Sequence, residues 1–219
     1  MRVVIATGEG RYADPWHPFA TTSERLETVL KDAGFTVRID GDLDGAMTRL
    51  DGVDLLVVNA GDPWRGMGDP PAAESVAGFG AALHRGIGIL GMHAAAATMR
   101  DYPEWPEAFG AIWLPGLSWH PPAGVARITM TISRLGAHLE GFDVLDERYS
   151  GLQRVGRSDI VATHEVDGAV HPTAWIRMVG RARVAADVLG HDERSYDSAG
   201  HRALLANLAR WASGVTSLD

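Results

Sequence analysis

Cysteine is absent from the sequence, which removes disulfides, thiolate metal sites and cysteine nucleophiles together. Histidine, carboxylate, hydroxyl and backbone groups are what remain for chemistry. No apolar stretch approaches the roughly 20 residues of a membrane span. The apolar run at Met1–Thr7 is too short for a signal-peptide core. These two absences lead us to expect a soluble, cytoplasmic chain with no membrane partner. Basic residues are scattered and the formal net charge is −8, so no stripe exists to neutralise a phosphate backbone, and no nucleic acid is expected. No internal repeat, low-complexity tract or linker divides the chain. With 219 residues, 46% of them hydrophobic, it can bury one sizeable core, and we read 1–219 as a single domain.

The order of elements points to α/β architecture. Arg2 to Thr7 is a β-branched run ending at Gly8-Glu9-Gly10, and Thr21-Thr22-Ser23-Glu24 opens an apolar-periodic segment with Leu26, Val29 and Leu30 on one face. A strand at Phe35–Ile39 follows the stop at Gly34. Asp54–Asn59 and Gly86–Gly91 are uniformly apolar, as strands buried on both faces are, with a helix from about Ala72 to His84 between them. Three successive β-α units imply a parallel sheet with right-handed crossovers. Further strands are expected at Arg127–Ile132, Asp159–His164, Thr173–Val179 and Ala182–Val188, and a last amphipathic helix from about Ser198 to Ala212. The fold class is therefore a doubly wound, three-layer, mostly parallel α/β sheet. Ligands of such sheets bind at the carboxyl ends of strands. The loops after Thr7, Asn59, Leu90 and Leu189 should then share one rim.

Those loops hold the candidate chemistry. In Gly91-x-His93-x-Ala95, small flanks permit the tight turn of a nucleophile elbow, and a histidine there suits acid/base work or metal ligation. Its bland alternative is a helix cap hydrogen-bonded inside the fold. Trp119-His120-Pro121-Pro122 holds an imidazole in a proline-fixed loop, or else forms a surface turn. Glu147, in Asp146-Glu147-Arg148-Tyr149, is a candidate base or ligand beside the Tyr149 phenol, or part of a solvated acidic turn. His17, in Asp14-Pro15-Trp16-His17-Pro18, precedes the first helix. His191, in Gly190-His191-Asp192-Glu193, ends the last core strand and is a second candidate base. His84, His138, His164, His171 and His201 read as ordinary surface or core histidines.

His93, His120 and Glu147 are thus the candidate catalytic groups. Trp16, His17, Asp62, Trp64, Trp119, Tyr149, His191 and Glu193 are the candidate binding groups. His17, His93, His120 and Glu147 could together hold a divalent metal such as zinc, since neutral imidazole and carboxylate suit Zn, Mn or Fe. There is no His-Glu-x-x-His and no His-x-His pair, so such ligands would have to come from distant loops. Gly8-x-Gly10 lacks the third glycine and immediate helix of a dinucleotide fingerprint. Trp105 and Trp113, if exposed, would support a self-association patch and a homo-oligomer.

Taken in order, His17-Pro18 before the first helix, Gly91-Met92-His93, Trp119-His120-Pro121, Asp146-Glu147-Arg148-Tyr149 and the run from Gly180-Arg181 to His191 resemble the trehalose-utilisation (ThuA-like) family. That family is a branch of the class I glutamine amidotransferase-like fold, and the resemblance spans nearly the whole chain. It implies a flavodoxin-like layered fold with His93 in the position of the amidotransferase cysteine, and His191 with Glu193 where that superfamily keeps its His and Glu. Glutaminase activity does not transfer. The resemblance also implies an association with sugar metabolism, particularly disaccharides and their keto derivatives. Ala94-Ala95-Ala96 stands where Gly-Gly is typical, which counts against an oxyanion hole of backbone amides. Three readings follow: a carbohydrate-active enzyme using histidine/carboxylate proton transfer, a non-catalytic carbohydrate-binding or assembly module, and a metal-assisted hydrolase or isomerase.

Overall fold

Val3 to Ala6 are β-branched or small, bury completely and form the heart of the first strand, β1 (Arg2–Thr7). In the computed structural model, which describes residues 1–62, 69–133, 135–136 and 139–215, β1 lies between two parallel neighbours. These are β2 (Thr36–Asp40) and β3 (Leu55–Asn59), with Val3 opposite Val37 on one side and Leu55 on the other. β3 pairs with β4 (Gly88–Met92), and β4 with β11 (Ala182–Asp187), both parallel. The uniformly apolar strands divide their side chains between two cores. Leu55 and Val57 join one cluster, while Leu56 and Val58 join the other. Strand alternation requires this division when both faces of a sheet are covered.

Helices α1 (Phe19–Asp32) and α5 (Ala199–Ala212) cover the first face through Leu26, Leu30, Leu204 and Leu208. The second face is covered by α2 (Leu43–Met47), α3 (Ala73–Arg85) and α4 (Trp105–Phe109), through Met47, Phe79 and Phe109. This is the three-layer, doubly wound arrangement that the sequence implies. Ser198 caps α5 by accepting from the His201 amide, and α3 ends on Gly86 at φ +95, a left-handed turn that glycine takes without steric penalty.

Beyond β11 the sheet turns antiparallel, a feature not read from the sequence. β10 (Ala169–Val179), β9 (Asp159–Val166), β6 (Gly124–Met130) and β7 (Phe142–Asp146) follow in that spatial order, and β5 (Ala111–Ile112) and β8 (Gln153–Arg154) form a separate small two-stranded sheet. β7 escaped notice because it alternates Phe142 and Val144 with the exposed Asp143 and ends on a buried carboxylate, Asp146. The elbow also differs from expectation. His93 to Ala96 form one turn of 3-10 helix, and the next α-helix begins only at Trp105.

Gly91 belongs to that elbow, and its backbone lies against the ring of Phe109. A Cβ there would come within 2.5 Å of the ring, which is itself wedged between Trp105 and Trp175 at centroid distances of 5.7 and 5.3 Å. Gly91→Ala is therefore expected to lower the unfolding free energy by about 1–3 kcal/mol, as overpacking does. Urea denaturation would report it as a lower midpoint at unchanged slope. A wild-type midpoint would show that the ring can retreat.

Candidate functional site

Four chain segments meet above the carboxyl ends of the parallel strands. Asp14 to His17 follow β1, His93 follows β4, Glu147 follows β7 and His191 follows β11. A fifth segment, Trp113 to His120, closes one side. Together they surround a cleft of about 660 Å³, within the usual range for small-molecule sites. Trp16, Trp113 and Tyr149 supply its aromatic surfaces, and Asp14, His17, Asp62, His120, Glu147 and His191 its polar ones.

His17 is held by the turn that precedes α1. The Asp14 carboxylate accepts from the amides of Trp16 and His17, both at 2.9 Å, and its oxygens lie 2.8 Å from His17 Nδ1. Nδ1 facing a carboxylate makes it the donor and leaves Nε2, buried and without a hydrogen-bond partner, turned to the interior of the site. Burial lowers the His17 pKa and outweighs the support from Asp14. For Asp14 burial works the other way, but the bond to His17 prevails and holds its carboxyl below the usual range.

His93 lies deeper, at φ +36 and 1% exposed. Its Nδ1 is 2.9 Å from the Val188 carbonyl, an acceptor only, so Nδ1 carries a proton and Nε2 points at Glu147 Oε2 across 3.6 Å. The ring packs on Tyr149 with centroids 4.1 Å apart. Burial would depress the imidazole pKa, but the facing Glu147 and the nearby Asp146 carboxylates raise it. Burial conversely resists ionisation of Glu147, yet the surrounding imidazoles, His93 foremost, lower its pKa. His191 Nδ1 approaches the same Oε2 at 3.3 Å and His120 Nδ1 approaches Oε1 at 3.5 Å. The His191 pKa is lowered by burial and then by the neighbouring His93. Titratable groups pushed in opposite directions within one cleft can divide acid and base roles at neutral pH.

One ligand atom each from His17, His93, Glu147 and His191 lies within 4.8 Å of the others. The anticipated set of four contained His120 in place of His191. His120 does reach Glu147, but from the exposed side, on the other carboxylate oxygen, and with its Nδ1 also 3.0 Å from the Pro121 carbonyl.

The remaining candidates divide. Trp16, Asp62 and Tyr149 line the cleft, with Asp62 3.4 Å from Arg100 Nε. Trp119 and Glu193 do not line it: Trp119 is 41% exposed and turns its ring toward His171, and Glu193 opens a separate 3-10 turn. Trp64 and His138 lie outside the described residues. Nor do Trp105 and Trp113 form a surface patch. Trp105 is 2% exposed with its indole donating to the Ala95 carbonyl, and Trp113 packs on Tyr149 at 4.5 Å inside the cleft.

Three positioning carboxylates escaped the sequence reading: Asp146, Asp187 and the Asp14 that holds His17. Asp146, 2% exposed, accepts from the amides of Gly190, His191 and Glu147 at 2.6, 3.2 and 2.8 Å and from the Ser195 hydroxyl, tying the Glu147 turn to the His191 loop. Asp187 supports this from behind. It meets His201 Nε2 at 3.1 Å, and His201 Nδ1 lies 2.9 Å from Ser195 Oγ. His201 is a core histidine, one of the two possibilities the sequence left for it: it is fully buried, and although burial opposes its protonation, Asp187 raises its pKa. The sequence carried one weak signal for Asp14, its placement three residues before His17, and none for the long-range clamp of Asp146.

The fold places the chain among the layered, flavodoxin-like α/β proteins, with a rim of histidines and carboxylates at the carboxyl ends of its strands. The family model described as trehalose utilisation matches residues 2–212, and the chain belongs to that family. A putative ThuA-like protein from Parabacteroides merdae ATCC 43184 superposes with a TM-score of 0.82 at 19% identity, over 100% of this chain and 92% of that one. Another, from Bacteroides uniformis ATCC 8492, gives 0.73 at 15% identity over 97% and 91%. A cytoplasmic protein from Salmonella typhimurium LT2 gives 0.67 at 10% identity over 97% and 99%. At these identities the likeness is one of fold. No curated protein matches the sequence. Among the described residues, no helix is long and apolar enough to cross a membrane.

Proposed function

We propose that the cleft binds a small carbohydrate, with a keto-disaccharide as the leading candidate, and moves a proton next to the sugar carbonyl. The observation that carries this reading is the convergence of Glu147, His120, His17 and His191 on one cleft walled by Trp16, Trp113 and Tyr149. Aromatic faces suit the C–H surfaces of sugar rings, while imidazole and carboxylate suit their hydroxyls. The family's description by trehalose utilisation supports the same substrate class.

In this mechanism Glu147, ionised at neutral pH, takes the proton, and His120 exchanges one with the carbonyl oxygen from the exposed side of the cleft. His93 does not line the cleft, so it acts through Glu147, holding that carboxylate charged and in place. His93 is a positioning residue here, rather than the acid/base partner that the elbow suggests.

Thermal shift against a keto-disaccharide and its parent disaccharide is the direct test. Ligand at about 100 times its Kd adds about 2.7 kcal/mol, a readily measured rise in Tm. Turnover of the keto sugar should fall about 10²–10⁴-fold in His120→Ala, which removes a proton-transfer group, and by less in His93→Ala, which removes only the support of Glu147. Stabilisation without turnover favours a non-catalytic binding module. If His120→Ala changes neither binding nor turnover, the assignment fails; an unchanged His93→Ala would remove only its positioning role.

A further inference from the structure

We propose that His17, His93, His191 and Glu147 form a site for one divalent transition-metal ion between the floor of the cleft and the buried His93 behind it. The site takes Glu147 through Oε2 and leaves Oε1, the oxygen that faces His120, to the proton transfer proposed above; it rests on that reading only for what the ion would act upon.

Three imidazole nitrogens carry the argument. His17 Nε2, His93 Nε2 and His191 Nδ1 are each buried and each lack a hydrogen-bond partner. Buried polar atoms are rarely left so, and each one calls for an explanation such as an ion or a water. Here all three belong to a set whose ligand atoms lie within 4.8 Å of one another, with Glu147 Oε2 at 3.6 Å from His93 and 3.3 Å from His191. Ligand atoms bound at about 2.0–2.1 Å in a tetrahedron stand roughly 3.3 Å apart, so two of these separations already suit an ion.

The surroundings fit as well. A metal-bound imidazole normally donates its other N–H to a carboxylate or a carbonyl. His17 Nδ1 does so to Asp14 and His93 Nδ1 to the Val188 carbonyl, which turns the free nitrogen of each ring into the site. The Asp146 clamp on the Gly190 and His191 amides fixes the third ring's backbone. Three imidazoles and a carboxylate, with no sulfur available, match zinc, manganese or ferrous iron. These four ligands complete a tetrahedral shell for zinc and leave positions open on a six-coordinate ion, where a water or sugar oxygen from the cleft could bind.

The test is titration calorimetry of the chelator-treated full-length protein with ZnSO4 and with MnCl2, alongside elemental analysis of the untreated protein. About one ion per chain is expected. His17→Gln and His191→Gln, checked by circular dichroism for folding, should each weaken binding about 100-fold or more, and Asp14→Asn, which touches no ion, about 10–100-fold. His120→Ala should retain the ion, because His120 meets Glu147 from outside the set. The Co²⁺-loaded protein gives a second readout, since its visible spectrum should change in both Gln variants. Less than about a tenth of an equivalent of any of these ions would overturn the proposal, as would folded His17→Gln and His191→Gln variants that bind like the wild type. Sugar-induced stabilisation without metal uptake would remove the ion and leave the carbohydrate reading standing. Metal uptake with no response to sugars would do the reverse.

Discussion

Asp146→Ala is expected to lower the unfolding free energy by about 3–5 kcal/mol, a loss in the range reserved for broken buried networks. The carboxylate is 2% exposed and serves three amides and one hydroxyl. Alanine would leave Gly190, His191 and Glu147 N–H groups in a buried region with no acceptor, at about 1–3 kcal/mol for each that water cannot reach. It would also cut the link through Ser195 to His201 and Asp187. Urea denaturation supplies the measurement. A loss below about 1 kcal/mol would mean that the loop finds other acceptors. Because Asp146 joins the Glu147 turn to the His191 loop, ligand binding should fall even at temperatures where the variant remains folded, and a fully binding variant would deny it this positioning role.

Glu147→Gln should leave most of the fold's stability intact and remove most of its chemistry. The side chain keeps its volume and loses the charge around which His93, His120 and His191 gather at 3.6, 3.5 and 3.3 Å. An amide cannot take a proton, and its NH2 would oppose protonated ring nitrogens. Turnover of a keto-disaccharide should drop about 10²–10⁴-fold, equivalent to about 3–5 kcal/mol of barrier. The stability change should be smaller, since Glu147 borders the open cleft rather than the core. Single-turnover kinetics and a urea curve on the same preparation separate the two effects. Equal kcat in the variant and the wild type would eliminate Glu147 as the base.

The parallel half of the sheet was legible because burial on both faces forces uniformly apolar strands, as in Leu55–Asn59, with glycine and capping residues marking their ends. In the antiparallel half β6, β9 and β10 were legible as strands but their direction was not, β7 was missed because it mixes apolar and charged residues, and the separate sheet of β5 and β8 has only two residues per strand. The rim of histidines followed from strand order alone. Which ring nitrogen points where did not, because the Val188 carbonyl lies 95 residues from His93 and the Asp146 carboxylate 45 residues from the His191 amide it holds.

By itself, then, the sequence determined the layered α/β fold, the family and the histidines and the glutamate that gather at the carboxyl ends of the strands, because these depend on local periodicity and motif order. Tertiary structure decided that His93 is enclosed behind Glu147, that His191 rather than His120 completes the inner cluster, and that Trp113 faces the cleft while Trp119 faces away. Those outcomes turn on contacts between groups far apart along the chain, which only the packing of the two cores sets.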